Sequence, residues 1–217
     1  MSKLIVIEGA CDGVGKTTQV NMLKEHLEKD NMKVYCHHFP TYDSDAGKLI
    51  SNYLNGKYGS IQNISPYFIN SLYAIDRKIV SDNISKISND IILLDRYTTS
   101  SLIYQTALID DLEEKKKFID YIIDYEYNKL LIRQPDKVIF LTLPFELITE
   151  NRNKRKNNSC LSKDIHEENE EYLKKVYDNA TFISNYLSWN VVDCYKNNQM
   201  KSKEEIHNEV YKLIKSK

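Results

Sequence analysis

The sequence predicts an α/β fold, a parallel β-sheet wrapped by helices on both faces. Three observations carry that expectation. Aliphatic or β-branched runs recur five times, at residues 4–7, 33–36, 91–94, 138–143 and 190–192, each with the length of a buried strand. Longer charged, amphipathic stretches separate them, and crossovers between parallel strands are almost always right-handed. The first run leads straight into a glycine-containing loop and a helix, on which Val20, Leu23 and Leu27 share one face.

At 217 residues the chain fits one domain, residues 1–217, with room for a mobile cap. Apolar residues at 41% and charged residues at 28% describe an ordinary soluble globule. The net charge of −1 supplies no field that would draw the chain to nucleic acid or to an anionic membrane. An anionic ligand must therefore be held by local groups. Cys11, Cys36, Cys160 and Cys194 are scattered without zinc or redox spacing, which fits reduced thiols in a cytoplasmic protein. No apolar run approaches the roughly 18 residues that span a bilayer. Residues 4–7 are too short for a signal peptide.

Residues 4–19 read LIVIEGACDGVGKTTQ, a strand, a glycine loop and a helix opening at Gly15-Lys16-Thr17. Backbone N–H groups of Asp12, Gly13, Val14 and Gly15 would turn inward around phosphate oxygens, and Thr18 lies in the first turn behind them. The helix N-terminus adds unsatisfied donors and a positive dipole end. Lys16 is expected as an exposed loop lysine reaching β- and γ-phosphates, and the Thr17 hydroxyl as a Mg²⁺ ligand. The motif G-x-x-x-x-G-K-T asks for glycine at position 10, where Ala10 stands, with Gly9 one residue early. Either alanine is tolerated at the strand exit or the loop bulges by one residue.

The run IILL at 91–94 ends in Asp95-Arg96-Tyr97. Ligands of open α/β sheets gather beyond the carboxyl ends of strands, so Asp95 is expected near the loop, holding a Mg²⁺ water. Arg96 would bridge donor and acceptor phosphates. The bland alternative is a strand-terminal salt bridge. Residues 151–163, NRNKRKNNSCLSK, are the least core-like stretch, polar and basic between two helical patterns. They suit a solvated loop or, in a kinase, a lid.

These segments, in this order, resemble the thymidylate kinase family. IEGACDGVGKTTQ at 7–19 is similar to its E-G-x-D-G-x-G-K-[ST]-T-Q, and DRYTTSSLIYQ at 95–105 to its D-R-Y-x-x-S-x-x-A-Y-Q. HFPTY at 38–42 and SLYAIDR at 71–77 look like F-P-x-Y and L-[FY]-x-x-[DN]-R. YLNGKYG at 53–59 and DIHEENEEYL at 164–173 resemble a subgroup found in some bacteria. The resemblance implies a three-layer α/β/α kinase fold with a five-stranded parallel sheet and a basic lid. It also implies a homodimer, with ATP as co-substrate and Mg²⁺ as cofactor.

Carried over residue by residue, Tyr73 would stack on the thymine ring and Arg77, four residues on, would hydrogen-bond the base edge. The alternative for that pair is a buried aromatic beside a surface arginine. Phe39 and Pro40 would wall the pocket, with the Tyr42 hydroxyl near the acceptor phosphate. Asp12 would orient Mg²⁺ or the sugar 3′-hydroxyl, and Tyr104 would lie beneath sugar C2′. Ser101 stands where some members carry Asn facing the base, and Gln105 completes the helix motif. Thr41 replaces an arginine of many relatives, Ile103 an alanine, and the loop holds one residue more than usual. In this family the transferring phosphoryl group receives a cation from an arginine in the loop or from the lid. Position 13 is glycine here, so Arg152 and Arg155 are the lid candidates, since a planar guanidinium engages phosphate oxygens in two directions. His37, His38 and His166 have no metal-ligand spacing and receive no role.

The expected reaction is transfer of the ATP γ-phosphoryl group to thymidine monophosphate (dTMP), with small nucleotides as its only partners besides the second subunit. Another deoxynucleoside monophosphate kinase or a deoxynucleoside kinase is the alternative. A regulatory GTPase would need N-K-x-D and a D-x-x-G outside the loop, and both are absent. A nucleotide-binding module without turnover would have lost Asp95 or Arg96, and both are present.

Overall fold

The structure, a computed structural model, describes residues 2–157, 165–166 and 169–215; for residues 155–157 the description covers the backbone alone. The five aliphatic runs form β1 (Lys3–Gly9), β2 (Val34–His38), β3 (Ile91–Asp95), β4 (Lys137–Thr142) and β5 (Asn190–Asp193). All pair in parallel in the order β2-β3-β1-β4-β5. β1 is central, with Ile5 opposite Leu93 on one side and Lys137 on the other. The chain fills one half of the sheet before crossing to the other. Loops after β1, β3 and β4 therefore meet at the carboxyl edge, where the strand order reverses.

Period-two alternation sorts β1 between two helical layers. Leu4 and Val6 pack with Val80 and Ile84 of α3 (Pro66–Ile84). Ile5 and Ile7 face the larger core, with Leu23 and Leu27 of α1 (Lys16–Lys29) and Val210 and Ile214 of α8 (Lys203–Lys215). Each such side chain contributes roughly 1.5–3 kcal/mol by burial. The remaining helices are α2 (Asp45–Leu54), α4 (Thr98–Tyr104), α5 (Leu112–Ile123), α6 (Phe145–Asn157) and α7 (Glu170–Tyr186). Side-chain caps start several of them: Ser44 accepts from Gly47 N, Asp111 from Glu114 N and Asn169 from Tyr172 N.

Two features refine the sequence reading. The start of the basic segment is helical, because residues 151–157 continue α6; residues 158–163 of the expected lid lie outside the described residues. A small hairpin, β6 (Tyr195–Lys196) and β7 (Gln199–Met200), closes through Asn197 and Asn198 at φ 52° and 60°. A type I′ hairpin turn needs positive φ at both central positions, which asparagine tolerates, so Asn-Asn is its local signal. Among the described residues no helix is long and apolar enough to cross a membrane, and Cys11, Cys36 and Cys194 are free thiols.

Candidate active site

β1 delivers Gly9 to the sheet edge. A Cβ there would stand 2.5 Å from Val14 Cγ1 and 3.1 Å from the Leu141 carbonyl, so close approach demands glycine at position 9. The loop therefore bulges by one residue relative to G-x-x-x-x-G-K. Ala10 and Cys11, both buried, take up the surplus, and Cys11 Sγ turns inward to 3.9 Å from the Leu173 carbonyl. Burial pushes the Cys11 thiol up to about 11, which leaves it a packing group without nucleophilic character. Gly13 and Gly15 adopt φ 105° and 101°, and Gly15 caps α1 in the left-handed conformation.

Lys16 is not the exposed lysine expected from the motif. It is 5% exposed, because Nζ folds under the bulge to donate to the Cys11 carbonyl at 2.8 Å and lies 3.3 Å from Asp12 Oδ1. Asp12 sits at the solvent side of this cluster, where it also accepts from Arg96 Nη2. Its surroundings work against the charged form, yet the Arg96 guanidinium and the Lys16 ammonium hold its carboxyl well below the usual range.

Arg96 takes φ 67°, in the left-handed region, at a cost of about 1–2 kcal/mol for a non-glycine residue. Its N–H bonds the Ile7 carbonyl at 3.2 Å, which ties the turn after β3 to β1. The guanidinium lies 5.5 Å above the Tyr104 ring and 3.9 Å from Glu8 Oε1. Glu8 is fully buried and was not singled out from the sequence. Its carboxylate accepts from Gly9 N at 3.0 Å, Thr99 Oγ1 at 2.7 Å and Ser100 Oγ at 2.6 Å. One buried anion thus ties the loop to the start of α4 and faces the arginine.

Asp95 and Thr17 meet as their spacing predicts, with Thr17 Oγ1 donating to Asp95 Oδ2 at 2.6 Å. His38, given no role from sequence, stands with Nδ1 3.1 Å from the same oxygen. Burial favours protonation of Asp95, but hydrogen bonds from His38 and Thr17 and the charges of Lys16 and Arg96 prevail and lower its pKa. The other oxygen, Oδ1, is buried without a hydrogen-bond partner. An orphaned carboxylate oxygen beside a threonine hydroxyl fits a hard, oxygen-seeking cation such as Mg²⁺.

One cavity connects this cluster to the predicted acceptor residues. Asp12 and Arg96 line it together with Phe39, Pro40, Tyr42, Tyr73, Arg77, Ser101, Tyr104 and Gln105, among others. Arg77 is not a surface arginine: it is 1% exposed and anchored by Glu126 through bonds of 2.6 and 2.7 Å. Its Nη2 also donates to Ser101 Oγ at 2.7 Å, which joins the two residues expected to face the base. His166 enters the same cavity, with Nε2 2.8 Å from the Tyr53 hydroxyl and its ring stacked 5.8 Å from Tyr104. Of the residues sequence reasoning missed, Glu126 lay within a legible pattern. Glu126 follows Ile122 by four residues on an otherwise apolar helix face, which marks a buried acid.

Of the two lid arginines, Arg152 reaches the cavity and is 7% exposed. Gly13 lets the backbone of α6 approach the loop closely. A Cβ at position 13 would meet the Ile148 carbonyl at 3.1 Å, Asn151 Cβ at 3.4 Å and Arg152 Cγ at 3.5 Å. Asn151 Nδ2 also donates to the Gly13 carbonyl at 3.2 Å. The missing side chain at position 13 thus lets α6 pack against the loop, with Arg152 alongside. The side chain of Arg155 lies outside the described residues.

Comparison with known proteins agrees with this architecture. Residues 7–210 match the family model described as Thymidylate kinase. The chain is 35% identical over 217 residues to "Probable thymidylate kinase 1" of Saccharolobus solfataricus, covering 99% of this chain and 97% of the relative. It is 33% identical to "Probable thymidylate kinase" of Methanobrevibacter smithii, covering 87% and 84%. The solved structure of thymidylate kinase from Candida albicans superposes with a TM-score of 0.73 at 25% identity, covering 98% of this chain and 91% of that one.

Proposed function

The chain belongs to the thymidylate kinase family, and on that premise we propose that it transfers the γ-phosphoryl group of ATP to the 5′-phosphate of dTMP, giving the diphosphate. The observation that carries this reading is the convergence of Asp12, Arg96 and Arg152 with Tyr73, Arg77, Ser101 and Tyr104 around one cavity at the carboxyl edge of the sheet. Such a reaction needs little covalent chemistry. Catalysis is alignment, charge neutralisation and exclusion of water.

Donor phosphates bind at the N-terminus of α1, where the dipole end offers roughly half a positive charge, supported by backbone N–H groups of Asp12, Gly13, Val14, Gly15, Thr17 and Thr18. Lys16 exchanges the Cys11 carbonyl and Asp12 for phosphate oxygens. Arg96, already stretched across the cavity by Asp12 and Tyr104, is suited to bridge the two nucleotides. Arg152 supplies the second cation from α6 and Arg155 a further one. Thr17 and Asp95 would hold Mg²⁺, whose charge, when it is bound, is shared with the donor phosphates. Tyr73 takes the thymine face, Arg77 its edge, Tyr104 the sugar at C2′, and Tyr42 the acceptor phosphate, while Phe39 and Gln105 complete the walls. Asp12 is also suited to the sugar 3′-hydroxyl.

A homodimer is part of the reading, supported by an apolar stripe on α3 at Phe68, Ile75 and Ile79, spaced at helical period and each exposed. So is a cytoplasmic location, in keeping with the free thiols of Cys11, Cys36 and Cys194. The decisive experiment is a coupled ADP-release assay across the common nucleoside and deoxynucleoside monophosphates. dTMP should be the best acceptor, and a preference for cytidine or adenosine monophosphate would refute the reading.

A further inference from the structure

α5 buries Phe118, Ile119 and Ile122 on one face, and the next inward position holds Glu126. Here the chain is π-helical over Asp124–Lys129, a form that widens the turn and recurs at functional sites. A carboxylate with no exposed surface is costly unless its lone pairs are used. Glu126 Oε2 accepts from Arg77 Nε at 2.7 Å and from Thr98 Oγ1 at 2.7 Å, while Oε1 accepts from Arg77 Nη2 at 2.6 Å. Ser101 Oγ takes the other Nη2 hydrogen at 2.7 Å. Nε and Nη2 are thereby committed. Nη1, with a 3.4 Å approach to the Tyr97 carbonyl, keeps donor capacity on a guanidinium that lines the acceptor cavity.

We propose that Glu126 is a positioning residue that sets base selection by holding Arg77. The inference deepens the acceptor reading and rests on it. Glu126 does two things that the bare arginine does not. It neutralises the buried cation, so Arg77 does not compete with Arg96 and Arg152 for the acceptor phosphate. It also locks the planar fork, so one donor edge meets the base. A pyrimidine with a carbonyl at position 4 accepts from that edge, whereas the 4-amino group of cytosine presents donor to donor. Thr98, from the first turn of α4, acts through Glu126 by fixing its Oε2.

The test is the ratio of kcat/KM for dTMP to that for deoxycytidine monophosphate, measured in the wild type, Glu126→Gln and Thr98→Val. The ratio does not depend on the fraction of folded enzyme, so a purely structural role leaves it unmoved. Glu126→Gln should lower the ratio on the order of tenfold through KM for dTMP, the scale of one charge-assisted hydrogen bond, with KM for ATP within about twofold. Thr98→Val should shift it the same way by about threefold, the scale of one neutral hydrogen bond. An unchanged ratio in Glu126→Gln overturns the inference. If that variant does not fold, Thr98→Val decides, and an unchanged ratio there overturns it equally. A wild type without preference for dTMP refutes the acceptor reading itself, and that result is in hand before any variant is compared.

Discussion

His166 should make the stability of this protein pH-dependent in a window that most neutral-pH measurements miss. Its ring is 7% exposed, stacked on Tyr104 and edge-on to Tyr53 and Tyr172 at centroid distances of 5.5 and 5.3 Å. Burial, reinforced by the Arg96 charge, moves its pKa from 6.5 to about 4. Because the folded value is the lower one, the unfolded chain binds the proton first as pH falls. The neutral ring's contribution is complete above about pH 6.5 and is withdrawn as pH drops towards 4. That interval, at about 1.4 kcal/mol per pH unit, amounts to roughly 3 kcal/mol, a sizeable share of a typical 5–15 kcal/mol. Urea denaturation of the wild type and of His166→Gln between pH 7.5 and 4.5 isolates the effect, since every other titrating group is common to both. The variant should start less stable through lost packing and gain about 2 kcal/mol relative to the wild type by pH 4.5. A stability difference that stays constant across that range would show that His166 is not held neutral by the fold.

Three further outcomes follow from the donor and acceptor ends of the cavity. Lys16→Ala should lower kcat by about 10²-fold or more, the scale of one phosphate-directed charge, and near-normal turnover would remove it from the mechanism. Arg152→Ala should lower kcat by about 10-fold or more while KM for dTMP changes little. Unlike a surface lid residue, it should also cost about 1–2 kcal/mol of stability, because its stem is buried beside Gly13. Full kcat in Arg152→Ala, read by the same coupled assay, would leave Arg96 as the bridging cation. Tyr104→Ala should raise activity on ribonucleotides relative to deoxynucleotides more than it blurs base choice, and equal loss on both sugars would contradict its place beneath C2′.

Local chemistry explains which of these features were open to reading from the chain alone. A strand buried on both faces is a continuous aliphatic run, as β1 and β3 are, and the shorter runs of the edge strands β2 and β5 were visible between helical patterns. Glycines at the loop, the strand-terminal Asp95-Arg96 and the Tyr73/Arg77 spacing likewise carry their chemistry within a few residues of themselves. The Asn-Asn turn of the last hairpin is an equally local signal.

What remained closed depended on partners distant in sequence. Whether Ala10 replaced a motif glycine or the loop bulged was decided by the Leu141 carbonyl and the Val14 side chain pressing on Gly9. The chain alone left Arg77 open between a base-edge role and a surface arginine, and its anchor, Glu126, stands 49 residues away. His38, Glu8 and His166 look idle as isolated letters, because a carboxylate or imidazole acquires its role from the charges and burial that the fold assembles around it. The basic stretch at 151–157 looks solvated by composition, yet α6 packs against the loop at Gly13 and Arg152 is buried there. Backbone pattern and motif are properties of the chain, whereas desolvation and pairing are properties of the neighbourhood, and only folding supplies the neighbourhood.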